Sequence, residues 1–338
     1  MPKLRILVTG GAGFIGANAV ARYMQRSHDV VVLDNLSRPK SEKNLEWLRE
    51  QGEFEFINAD IRDHDLCTLF HPKKPFDIVL HLAAQTAVTT SIVNPAYDFE
   101  VNATGTLNLL EAIRKSGQDP IFIYSSTNKV YGGLENYELT ERELRYEFIG
   151  GRKSIAEHQP LDFHSPYGCS KGCADQYVRD YARIYGLRTV VLRQSCIYGP
   201  HQFGVEDQGW IAWLTIAALT HETITIYGDG KQVRDILYID DLLDCFDKVV
   251  ENIRVAKGEV YNIGGGHLNQ LSLLEFMNVL SELGRRLTWN YLPMRQGDQL
   301  IYVSDITKAH DELSWAPRTQ LDEGLRRLYN WIKGNFSC

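Results

Sequence analysis

The chain has 338 residues, 44% of them hydrophobic, so it can bury a large core in one domain or in two interleaved lobes. Its 36 Lys and Arg against 43 Asp and Glu leave a formal charge of -7, which argues against a broad basic surface for nucleic acid. No apolar run approaches the roughly 20 residues that a membrane-spanning helix needs, and the sequence predicts a cytoplasmic protein.

Short β-rich runs alternate with longer helical stretches through the first half of the chain. The predicted strands are 4–9, 29–34, 54–58, 78–83, 121–125 and 189–193. This alternation predicts the α/β class, with a Rossmann-type doubly wound parallel sheet and helices on both faces. A polar, glycine-bearing stretch at about 135–159 interrupts the pattern and predicts an inserted loop near a site.

The elements after residue 193 are shorter and mixed, which predicts a second lobe assembled from two pieces. We expect a Rossmann domain formed by 1–193 with about 234–264. A smaller, mixed α/β substrate lobe is then formed by about 194–233 with 265–338. The strand-like segment 236–239 and the helix-like segment 240–252 are candidates to return to the main sheet.

A glycine turn follows the first strand directly, in the segment Gly10-Gly11-Ala12-Gly13-Phe14-Ile15-Gly16. Gly10 permits the tight turn, Gly13 lets the backbone approach a pyrophosphate, and Gly16 lets the following helix pack on the strand. The first amide N–H groups of that helix suit an anion. A tight turn without a ligand is the alternative reading.

Asp34 ends the second strand about 20 residues further on, where a carboxylate can bind both hydroxyls of an adenosine ribose. A carboxylate there repels a 2'-phosphate, so the sequence predicts NAD rather than NADP, although Arg38 softens that preference. For Asp60, Ile61 and the segment 82–85 a packing role is an equal alternative. The further candidate cofactor residues are Phe14, Ile15, Asn35, Ser37, Asp60, Ile61, Leu82, Ala83, Ala84, Gln85, Asn102 and Ser125.

The chemical site is predicted at the start of a long helix, where Ser165 is a suitable N-cap. Tyr167 and Lys171 then share one helix face. An ammonium beside the phenol is expected to lower its pKa, so that Tyr167 can take a proton from a substrate hydroxyl. Thr127 follows a buried strand and can orient the reacting oxygen. Alone, the Tyr-Lys spacing is common in helices that merely pack.

The six cysteines are scattered without a CxxC pair, and we expect reduced, mostly buried thiols. They are Cys67, Cys169, Cys173, Cys196, Cys245 and Cys338. No metal site is predicted.

Together the glycine turn, Asp34, Thr127, Tyr167 and Lys171 resemble the extended short-chain dehydrogenase/reductase family over essentially the whole chain. Longer stretches resemble its branch of nucleotide-sugar 2-epimerases. These stretches are 125–132, 162–172, 198–199, 202–203 and 207–210. The resemblance implies tightly held NAD, catalysis by Thr127, Tyr167 and Lys171, a second lobe that binds a nucleotide diphosphate, and a homo-oligomer.

One position separates members of that family. Its sugar 4,6-dehydratases carry an Asp-Glu pair after the catalytic threonine, whereas this chain has Asn128-Lys129. An amide cannot exchange a catalytic proton, and an ammonium is a poor substitute for a carboxylate base. The resemblance therefore disfavours elimination. Asn128 and Lys129 are candidates to bond sugar hydroxyls, with a solvated Lys129 as the alternative.

Two arginines are the candidates for the diphosphate, since Arg234 follows a glycine turn and the guanidinium of Arg295 offers a second fork. In the resembled family these positions bind the diphosphate; ordinary surface arginines are the alternative. Thr89, His164 and Gln208 complete the substrate candidates.

The predicted activity is epimerisation of a nucleotide-diphosphate sugar at C2 through a transient 2-keto sugar. The nearest alternative is a 4-epimerase that uses the same groups on a differently seated hexose. A further alternative, from another class, is an NAD-binding regulator without turnover.

Overall fold

The computed structural model describes residues 2–220, 223–282 and 287–336. The strands are β1 (Arg5–Thr9), β2 (Asp29–Asp34), β3 (Glu55–Asn58), β4 (Ile78–His81), β5 (Ile121–Thr127), β6 (Leu139–Glu141), β7 (Tyr146–Phe148), β8 (Thr189–Gln194), β9 (Cys196–Tyr198), β10 (Ile224–Tyr227), β11 (Val233–Tyr238), β12 (Val260–Ile263), β13 (Gln270–Ser272), β14 (Trp289–Leu292) and β15 (Ile301–Tyr302). The α-helices are α1 (Phe14–Gln25), α2 (Ser41–Gln51), α3 (Val88–Val93), α4 (Pro95–Phe99), α5 (Gly105–Ser116), α6 (Ser165–Tyr185), α7 (Trp210–Thr220), α8 (Ile239–Glu251), α9 (Ile253–Ala256), α10 (Leu273–Glu282), α11 (Thr307–Leu313) and α12 (Leu321–Asn335).

A seven-stranded parallel sheet carries the first half of the chain, in the order β12-β8-β5-β4-β1-β2-β3. Successive residues of β1 point into different cores: Ile6 and Val8 pack in one cluster, and Leu7 packs in the other. Both faces of the sheet are therefore covered, as is usual for a parallel sheet. The predicted doubly wound α/β fold is confirmed.

The strand order reverses between β1 and β4, because the chain runs from β1 to β2 and β3 and then crosses back to β4. At such a switch point the loops after the two neighbouring strands diverge and leave a crevice at the carboxyl ends. The fold thus places the glycine turn and the segment after β4 side by side.

The last strand of the main sheet differs from the one favoured by the sequence. Most of the segment 236–239 lies in β11, which pairs with β9, β13 and β15 in a second sheet. The strand that extends the main sheet is β12, beside β8. All six residues of β11 are buried, so its sequence reads as an interior strand without indicating which sheet it joins. The division into two lobes stays a prediction.

The stretch 135–159 is not an open loop at a site. It contains the antiparallel hairpin of β6 and β7, and Phe148 packs against Val233 and Ile301 of the second sheet. None of its residues lines the cleft described below, although the Tyr146 N–H donates to the Lys231 carbonyl, next to the cleft residue Gln232. Polar composition marks an irregular connection but does not say where it packs.

Five cysteines are free thiols, in keeping with the sequence prediction, and Cys338 lies outside the described residues. The expectation that most of the thiols are buried is wrong, because among these five only Cys245 is buried, while Cys67 and Cys169 are exposed. Among the helices of the described ranges, none is long and apolar enough to cross a membrane.

Candidate active site

A continuous cleft of about 660 Å³ runs along the carboxyl ends of the main sheet. Turns after β1, β2, β4 and β5 line one side. Residues drawn from 194–214, 225–234 and 295–298 line the other. Doubly wound folds bind their ligands in such a crevice, which makes it the candidate active site.

The glycine turn forms one end of the cleft. Gly10 has a φ of +68°, and a Cβ there would lie 2.7 Å from the amide nitrogen of Ala83. At Gly16 a Cβ would overlap the carbonyl oxygen of Gly10. Helix α1 begins without a side-chain cap and has no acidic residue in its first turn, so its free amide N–H groups suit a pyrophosphate.

Asp34 lines the same end of the cleft and is only 8% exposed. Its Oδ2 accepts the Ala12 N–H at 3.0 Å and its Oδ1 accepts the Leu36 N–H at 2.8 Å. Burial raises the pKa of Asp34, and these two hydrogen bonds oppose the rise. Held in this way, the carboxylate is placed to bind ribose hydroxyls. Nearby, burial lowers the pKa of Arg38, whose Nη1 lies 3.3 Å from Thr86 Oγ1.

Most predicted cofactor residues line the cleft. They are Gly10, Gly13, Phe14, Ile15, Gly16, Asp34, Asn35, Ser37, Arg38, Asp60, Ile61, Leu82, Ala83, Ala84, Ser125, Tyr167 and Lys171. Gln85 and Asn102 do not line it, so nothing in the cleft supports their prediction as cofactor contacts. Both side chains turn instead to the carboxylate of Asp98, at 2.7 and 3.2 Å. The position of Gln85 after a strand predicts where its backbone lies but not where its side chain points.

The three predicted catalytic side chains line the same cleft. Tyr167 and Lys171 lie one turn apart on α6, and the Thr127 side chain lowers the pKa of the Tyr167 phenol. The first turn of α6 is held by Ser165 Oγ, which accepts the Gly168 N–H at 3.2 Å as the predicted cap. Ser91 Oγ accepts the Tyr167 N–H at 3.1 Å.

The protonation energetics of this pair differ from the sequence expectation. Burial raises the pKa of Tyr167 to about 12, and the Thr127 side chain opposes that rise only in part. Burial lowers the pKa of Lys171 to about 7. Lysine Nζ donates to the Ser125 carbonyl at 2.6 Å and lies 4.3 Å from the ring centre of Tyr124. The expectation that Lys171 brings the pKa of Tyr167 below its ordinary value is wrong for the chain's own residues, because burial raises that pKa by more than the Thr127 side chain lowers it.

The residues after Thr127 are tied to the far wall of the cleft. Lys129 Nζ donates to the Gly297 carbonyl at 3.0 Å and to Asp298 Oδ1 at 3.2 Å. Burial lowers the pKa of Lys129 although Asp298 acts to raise it. The solvated alternative for Lys129 is therefore wrong. Asn128 lines the cleft as well, and its Nδ2 donates to Gln299 Oε1 at 3.3 Å.

Asp298 is a site residue that sequence reasoning missed. Its Oδ1 also accepts from Arg234 Nη2 at 2.8 Å, so one carboxylate joins two cleft cations. Burial alone would raise the pKa of Asp298, but Arg234 and Lys129 outweigh it and hold that pKa below its usual value. The available signal was the spacing of Asp298 three residues after Arg295, within a segment rich in turn formers.

The remaining substrate candidates divide into two groups. Arg295 lines the cleft with its guanidinium 3.7 Å from the ring centre of Tyr227 and 2.9 Å from Asp207. Gln208 and Thr89 also line it.

His164, predicted at the sugar, does not line the cleft. Its Nε2 lies 3.0 Å from Asp162 Oδ2 and its Nδ1 lies 3.7 Å from Glu135, because the turn before α6 directs the ring to the surface.

Comparisons with known proteins agree with this geometry. The model of the NAD dependent epimerase/dehydratase family matches residues 6–264. CDP-paratose 2-epimerase from Salmonella typhi is 44% identical over 334 residues, which cover 97% of this chain and 99% of that protein. A putative UDP-glucose 4-epimerase from Methanocaldococcus jannaschii is 36% identical, over 98% of this chain and 99% of its own length.

Solved structures of related enzymes also resemble this fold over nearly the whole chain. UDP-glucose 4-epimerase from Thermotoga maritima, solved with UDP-glucose, superposes with a TM-score of 0.84 at 32% identity and covers 99% of this chain and 100% of its own. dTDP-glucose 4,6-dehydratase from Streptomyces venezuelae, solved with NAD, gives a TM-score of 0.84 at 30% identity over 98% of both chains.

Proposed function

Because the chain belongs to the NAD dependent epimerase/dehydratase family, we propose that it inverts the configuration at C2 of a CDP-linked sugar of the paratose type. The extended likeness to CDP-paratose 2-epimerase, also called CDP-tyvelose 2-epimerase, supports this choice of carbon and nucleotide. The pair Asn128-Lys129 supports epimerisation over elimination, because an amide cannot exchange a catalytic proton and an ammonium is a poor substitute for a carboxylate base.

NAD is the cofactor of this family, and the glycine turn fits it. The free amides at the start of α1 would hold the pyrophosphate, Asp34 the adenosine ribose and Lys171 the nicotinamide ribose. When bound, NAD supplies the redox capacity, taking two electrons and one hydrogen from a sugar carbon and later returning them.

Tyr167 carries the proton in this proposal. Its phenolate oxygen accepts the proton of the C2 hydroxyl as C2 becomes a ketone, and the phenol gives it back when C2 is reduced. A buried phenolate is costly, as the pKa of about 12 indicates, so positive charge must stand close to it. Lys171 supplies that charge from the same helix, and the Thr127 hydroxyl orients the reacting oxygens.

Arg234 and Arg295 are the proposed ligands of the diphosphate. Each is paired with a carboxylate, Asp298 or Asp207, that holds its guanidinium in the cleft. Their planar donors can each bind a phosphate in two places. Anchored there, the keto sugar can turn in the cleft and present its other face before hydrogen returns to C2.

The observation that carries the proposal is the meeting of Tyr167, Lys171 and Thr127 in the same cleft as the glycine turn. The test incubates purified protein with CDP-paratose, UDP-glucose and dTDP-glucose without added cofactor and follows the products by proton NMR. We expect a C2 epimer from the CDP sugar alone. Deuterium at C2 should slow turnover and deuterium at C4 should not. Tyr167→Phe should keep bound NAD and lose turnover.

A second candidate, 4-epimerisation of a UDP-hexose, is favoured by the likeness to UDP-glucose 4-epimerases. In that case the isotope effect moves to C4 and UDP-glucose yields UDP-galactose. An NAD-binding regulator would keep NAD and convert none of the three sugars.

We further propose that the protein is a homo-oligomer. Three apolar side chains on one face of α6 are exposed, Tyr177 by 46%, Ile184 by 65% and Tyr185 by 49%. A contiguous exposed apolar patch of this kind marks an interaction surface. Light scattering on the native protein and on Ile184→Glu tests this, with a monomeric native protein as the contrary outcome.

We also propose a cytoplasmic location, because free thiols such as Cys67 are typical of a reducing compartment.

A further inference from the structure

A buried carboxylate that the proposed mechanism does not use lies beside the chemical site. Asp98 is 0% exposed and lies on α4, which packs against α6. Its Oδ1 accepts from Gln85 Nε2 at 2.7 Å and from Asn102 Nδ2 at 3.2 Å. Its Oδ2 accepts the hydroxyl of Ser170, which lies on α6 within the catalytic stretch. Three donors from three segments thus converge on one carboxyl group.

Main-chain contacts fix the orientation of both amide groups. Gln85 Oε1 accepts the Ala87 N–H at 2.6 Å, and Gln85 Nε2 donates to the Ala87 carbonyl at 2.9 Å. Asn102 Oδ1 accepts the Gln85 N–H at 3.0 Å, and Asn102 Nδ2 donates to the Gln85 carbonyl at 3.0 Å. Both amides therefore present hydrogen to Asp98. A proton on the carboxyl would displace one of the three donors, so the site is built for the ionised form.

The charge of Asp98 acts on both members of the catalytic pair. It raises the pKa of Lys171 and the pKa of Tyr167. Burial raises the pKa of Asp98 itself, while its hydrogen bonds to Ser170 and Gln85 and the charge of Lys171 oppose that rise.

The other titratable groups around Lys171 come from three elements. Asp175, on the same helix, also raises the pKa of Lys171. Tyr124 of β5 lies under the ammonium, and burial holds its pKa well above the ordinary value, so it stays neutral. His81 of β4 is neutral too, because burial lowers its pKa to about 3. Asp98 and Asp175 are thus the two carboxylates whose charges support a buried Lys171.

We propose that Asp98 is a positioning residue of the chemical site, which fixes Ser170 on α6 and supplies a negative charge that supports the buried ammonium of Lys171. The inference deepens the proposed function and rests on it only in requiring Lys171 as an ammonium. The pKa of about 7 for Lys171 already includes the help of Asp98. Loss of that charge lowers the pKa of Lys171 further.

The variant Asp98→Asn removes the charge and keeps the shape. Its Oδ1 can still accept from Gln85 and Asn102, and its new amide hydrogens can point at the Ser170 oxygen. The Ser170 hydroxyl then turns its hydrogen to the Tyr167 carbonyl, 3.2 Å away. Asp98→Thr removes the same charge with a smaller side chain and replaces Asp98→Asn if the amide prevents folding.

The pH profile of kcat/KM separates charge from structure. Without Asp98 the pKa values of Lys171 and Tyr167 both fall, so both limbs of the profile should move to lower pH, by roughly one unit. The control Ser170→Ala removes a hydrogen-bond donor to Asp98 but leaves the charge of Asp98 in place. The limbs of its pH profile should therefore lie at the same pH as those of the native protein, whatever its maximal rate. If the limbs of Asp98→Asn also stay in place, the proposal is overturned.

A second measurement needs no substrate. Absorbance titration at alkaline pH, with the Tyr167→Phe signal subtracted in each background, reports the ionisation of Tyr167 alone. We expect a lower pKa for Tyr167 in Asp98→Asn than in the native chain, and an equal value overturns the proposal. If no nucleotide sugar is converted by the native protein, the proposed function fails, while this titration still decides the role of Asp98.

Discussion

The buried ion pair behind the catalytic strand allows a quantitative prediction. Asp175 and Arg193 have side-chain exposures of 0% and 2%, and two bonds of 2.9 Å join Arg193 Nε and Nη2 to the two carboxylate oxygens. The Ser126 hydroxyl donates to the same carboxylate at 2.7 Å. Asp175→Asn leaves Arg193 as a buried cation without its counter-charge. We therefore expect the free energy of unfolding to fall by about 3–5 kcal/mol.

The assay is urea unfolding of the holoprotein with saturating NAD, so that cofactor binding contributes equally to each variant. The double variant Asp175→Leu with Arg193→Met removes both charges, and we expect it to be more stable than Asp175→Asn. Because Ser126 directly precedes Thr127, Asp175→Asn should also reduce turnover while NAD stays bound. Solvent-exposed ion pairs contribute less than about 1 kcal/mol. A fall in the free energy of unfolding of that size in Asp175→Asn would refute the view that this ion pair is charged and shielded from solvent.

Three further predictions follow from other parts of the cleft. Gly16→Ala should lose NAD on gel filtration, because the new Cβ overlaps the Gly10 carbonyl. The control Gly334→Ala has nothing within 4 Å of its Cβ and should keep NAD. Retention of NAD by both variants contradicts binding of the pyrophosphate at the glycine turn. Arg295→Met should raise the KM for the nucleotide sugar by roughly tenfold or more, with a smaller change in kcat. The control Arg142→Met, at an exposed position, should leave both constants unchanged. An unaltered KM in Arg295→Met would show that Arg295 does not bind the diphosphate. Burial lowers the pKa of His81 in the folded chain to about 3. As the pH falls below about 6.5, only the unfolded chain therefore takes up a proton at His81. The free energy of unfolding should then drop by about 1.4 kcal/mol per pH unit from there toward pH 3. His81→Gln should remove that part of the slope in unfolding measurements at pH 5 and 7, and a slope equal to the native one contradicts it.

The main sheet was predictable because each of its first six strands carries its own local signal. In β2, five successive residues are buried, Val30 to Asp34, and such a run between turn formers indicates a strand covered on both faces. The assignment of the seventh strand could not be read in the same way. Both β11 and β12 are buried along their whole length, and pairing with β8 depends on packing across the fold rather than on either segment.

The candidate site was predictable where the backbone itself does the binding and less so where side chains decide. Gly10, Gly13 and Gly16 follow from the turn geometry, so their positions were fixed by spacing alone. The direction of a side chain depends on neighbours that are distant in sequence. Gln85 turns to Asp98, 13 residues away, and Lys129 turns to Asp298, 169 residues away. No local pattern reports such partners.

The distribution of exchangeable protons explains why this cleft suits redox inversion at one carbon better than elimination. Elimination of water needs an acid and a base in addition to Tyr167. The Asn128 amide has no proton to exchange, and the ammonium of Lys129 is bound to Asp298. Asp298 itself stays ionised because Arg234 and Lys129 lower its pKa against the effect of burial, so it is a poor acid, and its two cations make it a poor base. Introducing the Asp-Glu pair of the dehydratases at 128 and 129 would place a new glutamate beside Asp298, and the two negative charges would repel each other. The chemistry is therefore set by three positions that must change together, which is why the dipeptide after Thr127 cannot be exchanged alone.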